Sequence, residues 1–133
     1  MTLYVVTGPP CAGKSTWVRE RAQIGDIVVD LDRIALAITA EQTHHHAYPV
    51  HIRKAAIVVR KTAVAVAIAY SRTGTSFVIH AKPNPRALRE YARVCGQIIA
   101  LDAPFDVLMA RAKAERPPEI VRTLAHWWDQ DEE

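Results

Sequence analysis

The stretch GPPCAGKST, residues 8–16, sets Gly8, Gly13, Lys14 and Ser15 at the spacing G-x-x-x-x-G-K-[ST]. Glycines at these positions let the backbone turn so that successive amide hydrogens point inward at phosphate oxygens. A helix beginning near Lys14 adds its positive end to the same cradle. In such a loop the lysine bridges the β and γ phosphates and the hydroxyl of Ser15 reaches a magnesium ion. Gly8, Pro9, Pro10, Cys11, Ala12, Gly13, Lys14, Ser15 and Thr16 are therefore expected to hold ATP or GTP with magnesium. Cys11 falls in the variable part of the loop, where a small residue without redox chemistry suffices.

Moving a phosphoryl group requires a carboxylate near the metal and often a second that accepts the proton of the attacking hydroxyl. Asp30 and Asp32, in VVDLD, stand at the carboxyl end of an apolar run, where open parallel sheets place their ligands. Either can be the base, and Ser15 with Asp32 is the expected metal pair. Asp32 also suits the N-cap of the RIALAI helix that follows. Asp102, ending QIIALD, reads as a metal carboxylate or as the cap of a helix with Pro104 in its first turn. His80, ending TSFVIH, is a poor magnesium ligand because that ion prefers hard oxygens. It either contacts substrate or is a satisfied structural histidine.

These residues need a frame that brings three or four chain segments to one edge. Apolar, β-branched runs at 3–7, 26–30, 75–80 and 97–101 read as strands. Helical patterns at 15–24, 33–41, 50–72, 82–94 and 104–115 alternate with them, and a last one spans 119–128, where Trp127 and Trp128 would cap the core. Such alternation argues for a parallel sheet with helices on both faces. With 133 residues, 50% hydrophobic and 23% charged, the chain is expected to be one domain, 1–133.

GPPCAGKST, then VVDLDR, then APFDVLMARAKAERP with its spaced arginines, together resemble the P-loop kinases related to phage polynucleotide kinase, and more broadly the nucleoside monophosphate kinase fold. The resemblance implies a three-layer α/β/α fold with strand order 2-3-1-4, usually extended by a fifth strand for which this chain has no apolar run. It implies an aspartate that activates the acceptor hydroxyl and an arginine three residues on that grips acceptor phosphate, a D-x-x-R spacing matched by Asp30 and Arg33. It also implies a short lid, here near 111–118, with Arg111 and Arg116 beside the transferred group and Arg122 less firmly matched. Where many relatives carry a carboxylate after the third strand, this chain has HAKP, and Lys82 adds positive charge. The implied activity is transfer of the γ-phosphoryl of ATP to a polynucleotide 5′-hydroxyl or a nucleotide-like acceptor. The same resemblance allows a phage-encoded enzyme working in a host cytoplasm. A nucleotide-binding switch or ATPase module acting with a partner, and a small-molecule kinase, share the loop.

Net charge +3 leans toward a polyanionic partner, and residues 129–133, DQDEE, read as a solvated acidic tail. No run approaches the twenty apolar residues a membrane span needs, and no targeting segment precedes the first strand, so a cytoplasmic protein is expected. Cys11 and Cys95 are expected to be free thiols. The helix from Val50 carries Arg53, Lys54, Arg60 and Lys61, paired seven residues apart. They form either a basic sector that tracks a nucleic-acid backbone or a solvated face opposite a core of Ile57, Val58, Val64 and Ile68. His44, His45 and His46 suggest zinc, yet successive residues point different ways, which favours a surface loop. Tyr48, beside them, offers a thin case for base stacking.

Overall fold

A computed structural model describes residues 1–40 and 48–115. In chain order these form β1 (Thr2–Thr7), α1 (Lys14–Arg21), β2 (Ile27–Val29), α2 (Leu31–Ile38), α3 (Val50–Tyr70), β3 (Thr75–Ile79), α4 (Pro85–Ala92), β4 (Gln97–Ala100) and α5 (Phe105–Glu115). The four strands make one sheet in the order β2-β3-β1-β4, every pair parallel. β1 is central: Thr2 to Val6 pair with Thr75 to Ile79, and Tyr4 to Thr7 with Gln97 to Ala100. Parallel neighbours need crossovers, and helices supply them. This is the α/β/α P-loop architecture, with the expected 2-3-1-4 order.

Strand alternation decides which helix covers which face. Leu3 and Val5 join Val29 and Val78 against Ala67 of α3 and Tyr91 of α4. Tyr4 and Val6 project the other way, joining Phe77 and Ile79 against Val18 and Trp17 of α1. There the rings of Tyr4 and Phe77 stack at 5.1 Å, and Trp17 meets both edge-on. Among the described residues no helix is long and apolar enough to cross a membrane.

Helix starts are displaced from the sequence reading by caps. α2 begins at Leu31, because Asp30 in extended conformation accepts the Asp32 amide at 3.1 Å; Asp30, not Asp32, is the N-cap. α4 begins at Pro85, because Asn84 accepts the Ala87 amide at 2.8 Å and proline fits the first helical position. α5 begins at Phe105, with the Leu108 amide donating to the Pro104 carbonyl at 3.1 Å. Asp102 does not cap that helix; its carboxylate accepts the amide of its neighbour Ala103 at 2.8 Å.

The orientation of α3 corrects two expectations. Val58 is 66% exposed and is no part of the core, whereas Arg60 is 2% exposed and leaves the basic sector. α3 packs simultaneously on α2, where Ala56 meets Leu31 and Ala35, and on the sheet, where Ala67 joins the core. Small alanines on both contacts turn the line 56–60–67 inward, and Arg60 enters with its long apolar stem. Ile57, Val64 and Ile68 are half-buried as expected. His44 to His46, Arg116, Arg122, Trp127 and Trp128, the expected helix 119–128 and the acidic tail lie outside the described residues.

Leu3→Ala removes a fully enclosed side chain from the centre of the sheet and should cost about 2–5 kcal/mol in urea denaturation. Val58→Ala should stay within about 0.5 kcal/mol of the parent, because the valine faces solvent.

Candidate phosphate-binding site

The site forms where β1 stops. Thr7 and Gly8 are tied to both neighbours, the Leu101 amide donating to the Thr7 carbonyl and the Gly8 amide to the Ala81 carbonyl, each at 2.9 Å. A side chain on Gly8 would collide with the Leu101 carbonyl oxygen, and its φ of +143° is closed to other residues. Gly13, at φ +92°, has nothing within 4 Å of where a Cβ would stand. Torsion alone demands glycine there. α1 then starts at Lys14 without a side-chain cap, its first intrahelical bond running from the Trp17 amide to the Gly13 carbonyl at 2.9 Å. Uncapped first-turn amides and the helix dipole make this an anion-binding end.

Three charged side chains converge on the loop. The Lys14 ammonium donates to the carbonyls of Gly8 and Pro9, both at 2.8 Å, which folds it back across the loop it must serve. From α5, Arg111 donates through Nη1 to the Cys11 carbonyl at 3.0 Å, bridging a hundred residues of chain. Leu108 of the same helix packs on Cys11, which adopts a left-handed φ of +67°. From the β2–α2 junction Asp30 divides its carboxylate: Oδ1 accepts the Asp32 amide, and Oδ2 stands 3.4 Å from the Ser15 hydroxyl that points at it.

Asp30 is 7% exposed. Burial holds its pKa above the usual carboxylate value, and the nearby Asp32 charge pushes the same way. The Asp32 amide, Arg33 and Ser15 pull it back. Asp32 itself lies in the first turn of α2, where its backbone carbonyl accepts the Tyr48 hydroxyl at 3.1 Å. Burial, then Asp32 and Asp30, raise the pKa of that phenol. Tyr48 was legible only as an aromatic beside a histidine run; its contact depends on how α3 starts against α2, which no local pattern encodes.

The structure thus brings Lys14, Ser15, Asp30 and Arg111 together around the loop and sets Asp32 and exposed Arg33 one step along α2. The carboxylate that the Ser15 hydroxyl meets is that of Asp30, two residues before the Asp32 expected to share a metal with it. His80 sits apart: 4% exposed, its Nδ1 shares a 2.8 Å hydrogen bond with the Tyr91 hydroxyl, a buried structural pair. Lys82 and Asp102 line a cavity of about 320 Å³ beside the start of the loop, with Thr7, Gly8, Pro9 and Leu88. Cys11 and Cys95 are free thiols.

Among the described residues no group of three or more His, Cys, Asp or Glu side chains is arranged to chelate a metal on its own. One hydroxyl and one carboxylate beside a phosphate cradle suit magnesium, which takes hard oxygens and shares its sphere with substrate phosphates. The residues present fit that ion.

No curated protein matches the chain. The profile of the AAA_33 family, described as an AAA domain, matches residues 3–121, most of the chain and every element of the site. Strand order, phosphate loop and this match converge: the chain belongs to the AAA_33 family and is a P-loop nucleotide-binding protein of kinase-like type.

Proposed function

We propose that the protein is an ATP-dependent phosphotransferase that moves the γ-phosphoryl group to a hydroxyl acceptor, a polynucleotide 5′-hydroxyl or a nucleotide-like substrate. The observation that carries this reading is the buried Asp30 carboxylate set against Ser15 of the phosphate loop. Beyond capping α2, this carboxylate offers a proton acceptor beside the phosphate loop, which holding a nucleotide alone does not require. The loop amides and Lys14 take the phosphate oxygens, and Arg111 offsets charge from the side of α5, its planar fork suited to two-point contact. Ser15 would hold magnesium together with the substrate phosphates, and the ion when bound would neutralise charge developing on them.

Asp30 is our choice for the base, with Asp32 as its negative neighbour. A pKa raised toward the working pH favours taking a proton from a hydroxyl. Arg33, one turn along α2, is exposed, and its charge pulls the Asp30 pKa back down. Catalysis in this scheme is positioning and electrostatics throughout.

The direct test is incubation with γ-labelled ATP and magnesium alongside a 5′-hydroxyl oligonucleotide, a panel of nucleosides and monophosphates, or water alone. Label transferred to an acceptor is expected. Label found only as free phosphate would refute the proposal.

Asp30→Asn keeps the helix cap, since asparagine caps as well as aspartate, yet should lower transfer at least about 10²-fold with ATP binding retained. Its stability effect has a definite sign. A carboxylate whose folded pKa lies above its unfolded one, about 3.9, costs nothing below both values, and the cost of ionising it grows as pH rises from the unfolded to the folded pKa. Asp30→Asn should therefore gain stability relative to the parent at pH 7 compared with pH 3, read from urea midpoints at the two pH values. Arg111→Ala should reduce kcat about 10²-fold or more with a smaller change in ATP affinity, and Arg111→Lys should not restore it.

A further inference from the structure

The outward face of α3 is built unlike a solvated helix. Ala55, Val58, Thr62, Ala65 and Ala69 recur at three- and four-residue intervals, and Val59 and Val66 flank them. All are exposed, with Val58 at 66%, Val66 at 54% and Val59 at 43%. Over 21 residues, about 31 Å of helix, these apolar and small side chains form a strip that shares the solvent side with exposed His51, Arg53, Lys54 and Lys61. An exposed apolar surface this continuous marks an interaction site.

Charge and shape select the occupant. α3 carries Arg53, Lys54, Arg60 and Lys61 and no carboxylate. With Arg60 turned inward, Lys54 and Lys61 stand seven residues apart along one edge of the apolar face. A polynucleotide would leave the valines uncovered. A second copy, paired two-fold about Thr62 at the middle of the face, would bring Lys61 close to its own counterpart, like charge on like. A membrane surface is met by bulky Leu, Phe and Trp side chains, whereas this face is valine, alanine and threonine. Valine ridges with alanine gaps receive the ridges of another helix, and the lysine edge calls for carboxylates along that helix.

We propose that the outward face of α3 is a docking surface for an acidic amphipathic helix of a partner protein. The surface is independent of phosphoryl transfer, because none of its residues belongs to the set around the loop.

The test uses the full chain and two fluorescent synthetic helices of equal length. Both carry leucines at positions repeating every three and four residues; one has glutamates along its flanks, the other lysines. The acidic helix should bind at low salt and weaken with added salt. The double variant Val58→Asp, Val66→Asp should bind it at least about tenfold more weakly, with an unchanged urea midpoint showing that these exposed positions do not disturb the fold. Equal binding of the two helices, or equal binding by parent and variant, would overturn the proposal. So would sedimentation showing a dimer of the parent that the variant loses, or binding to phosphatidylserine vesicles that the variant loses.

Discussion

Everything functional in this fold depends on one steric fact at the end of its central strand. β1 pairs on both sides and stops at Thr7, and Gly8 must pass so close to the Leu101 carbonyl that no side chain can exist there. Because the passage is also fixed by the Ala81 carbonyl, the phosphate loop leaves the sheet at a position set by both neighbouring strands. A loop anchored that way can present backbone amides in one arrangement before any ligand arrives, which is what electrostatic preorganisation requires.

Asp30 shows how the same frame accepts a local cost. One carboxylate oxygen caps α2, which the helix needs, while the other is held against Ser15 in surroundings that disfavour its charge. Capping fixes the rotamer; burial shifts the proton affinity. Cap, contact and raised pKa thus come from a single side chain, and the position of α2 is tied to the chemistry by a hydrogen bond rather than by apolar packing alone. Tyr48 extends the tie to α3 through the Asp32 carbonyl.

What the sequence made legible was periodic or strictly spaced. The alternation of strands and helices led to the sheet that forms, the resemblance supplied its strand order, the glycine–lysine–serine spacing falls where β1 gives way to α1, and Arg111, which the resemblance named, donates to the Cys11 carbonyl. What misled was a choice between near-equivalent faces. α3 has cations and valines on several sides, so periodicity allowed Val58 inward and Arg60 outward; two alanine contacts, with α2 and with the sheet, decided the reverse. Asp30 and Asp32 were similarly ambiguous, because capping depends on which residue is extended, a property of the β2–α2 junction rather than of the letters DLD.

The two faces of α3 follow from that same decision. Once Ala56 and Ala67 set the inward line, the valines a few residues away had to face solvent, since a helix cannot bury its whole circumference against one sheet and one neighbour. An isolated exposed valine is unremarkable on a protein surface. A row of them beside two lysines, on a helix with no carboxylate to balance its charge, leaves both apolar area and positive charge unmatched along the same edge. A partner that answers only one of the two would leave the other uncompensated, which is why charge and shape together, and neither alone, define what belongs there.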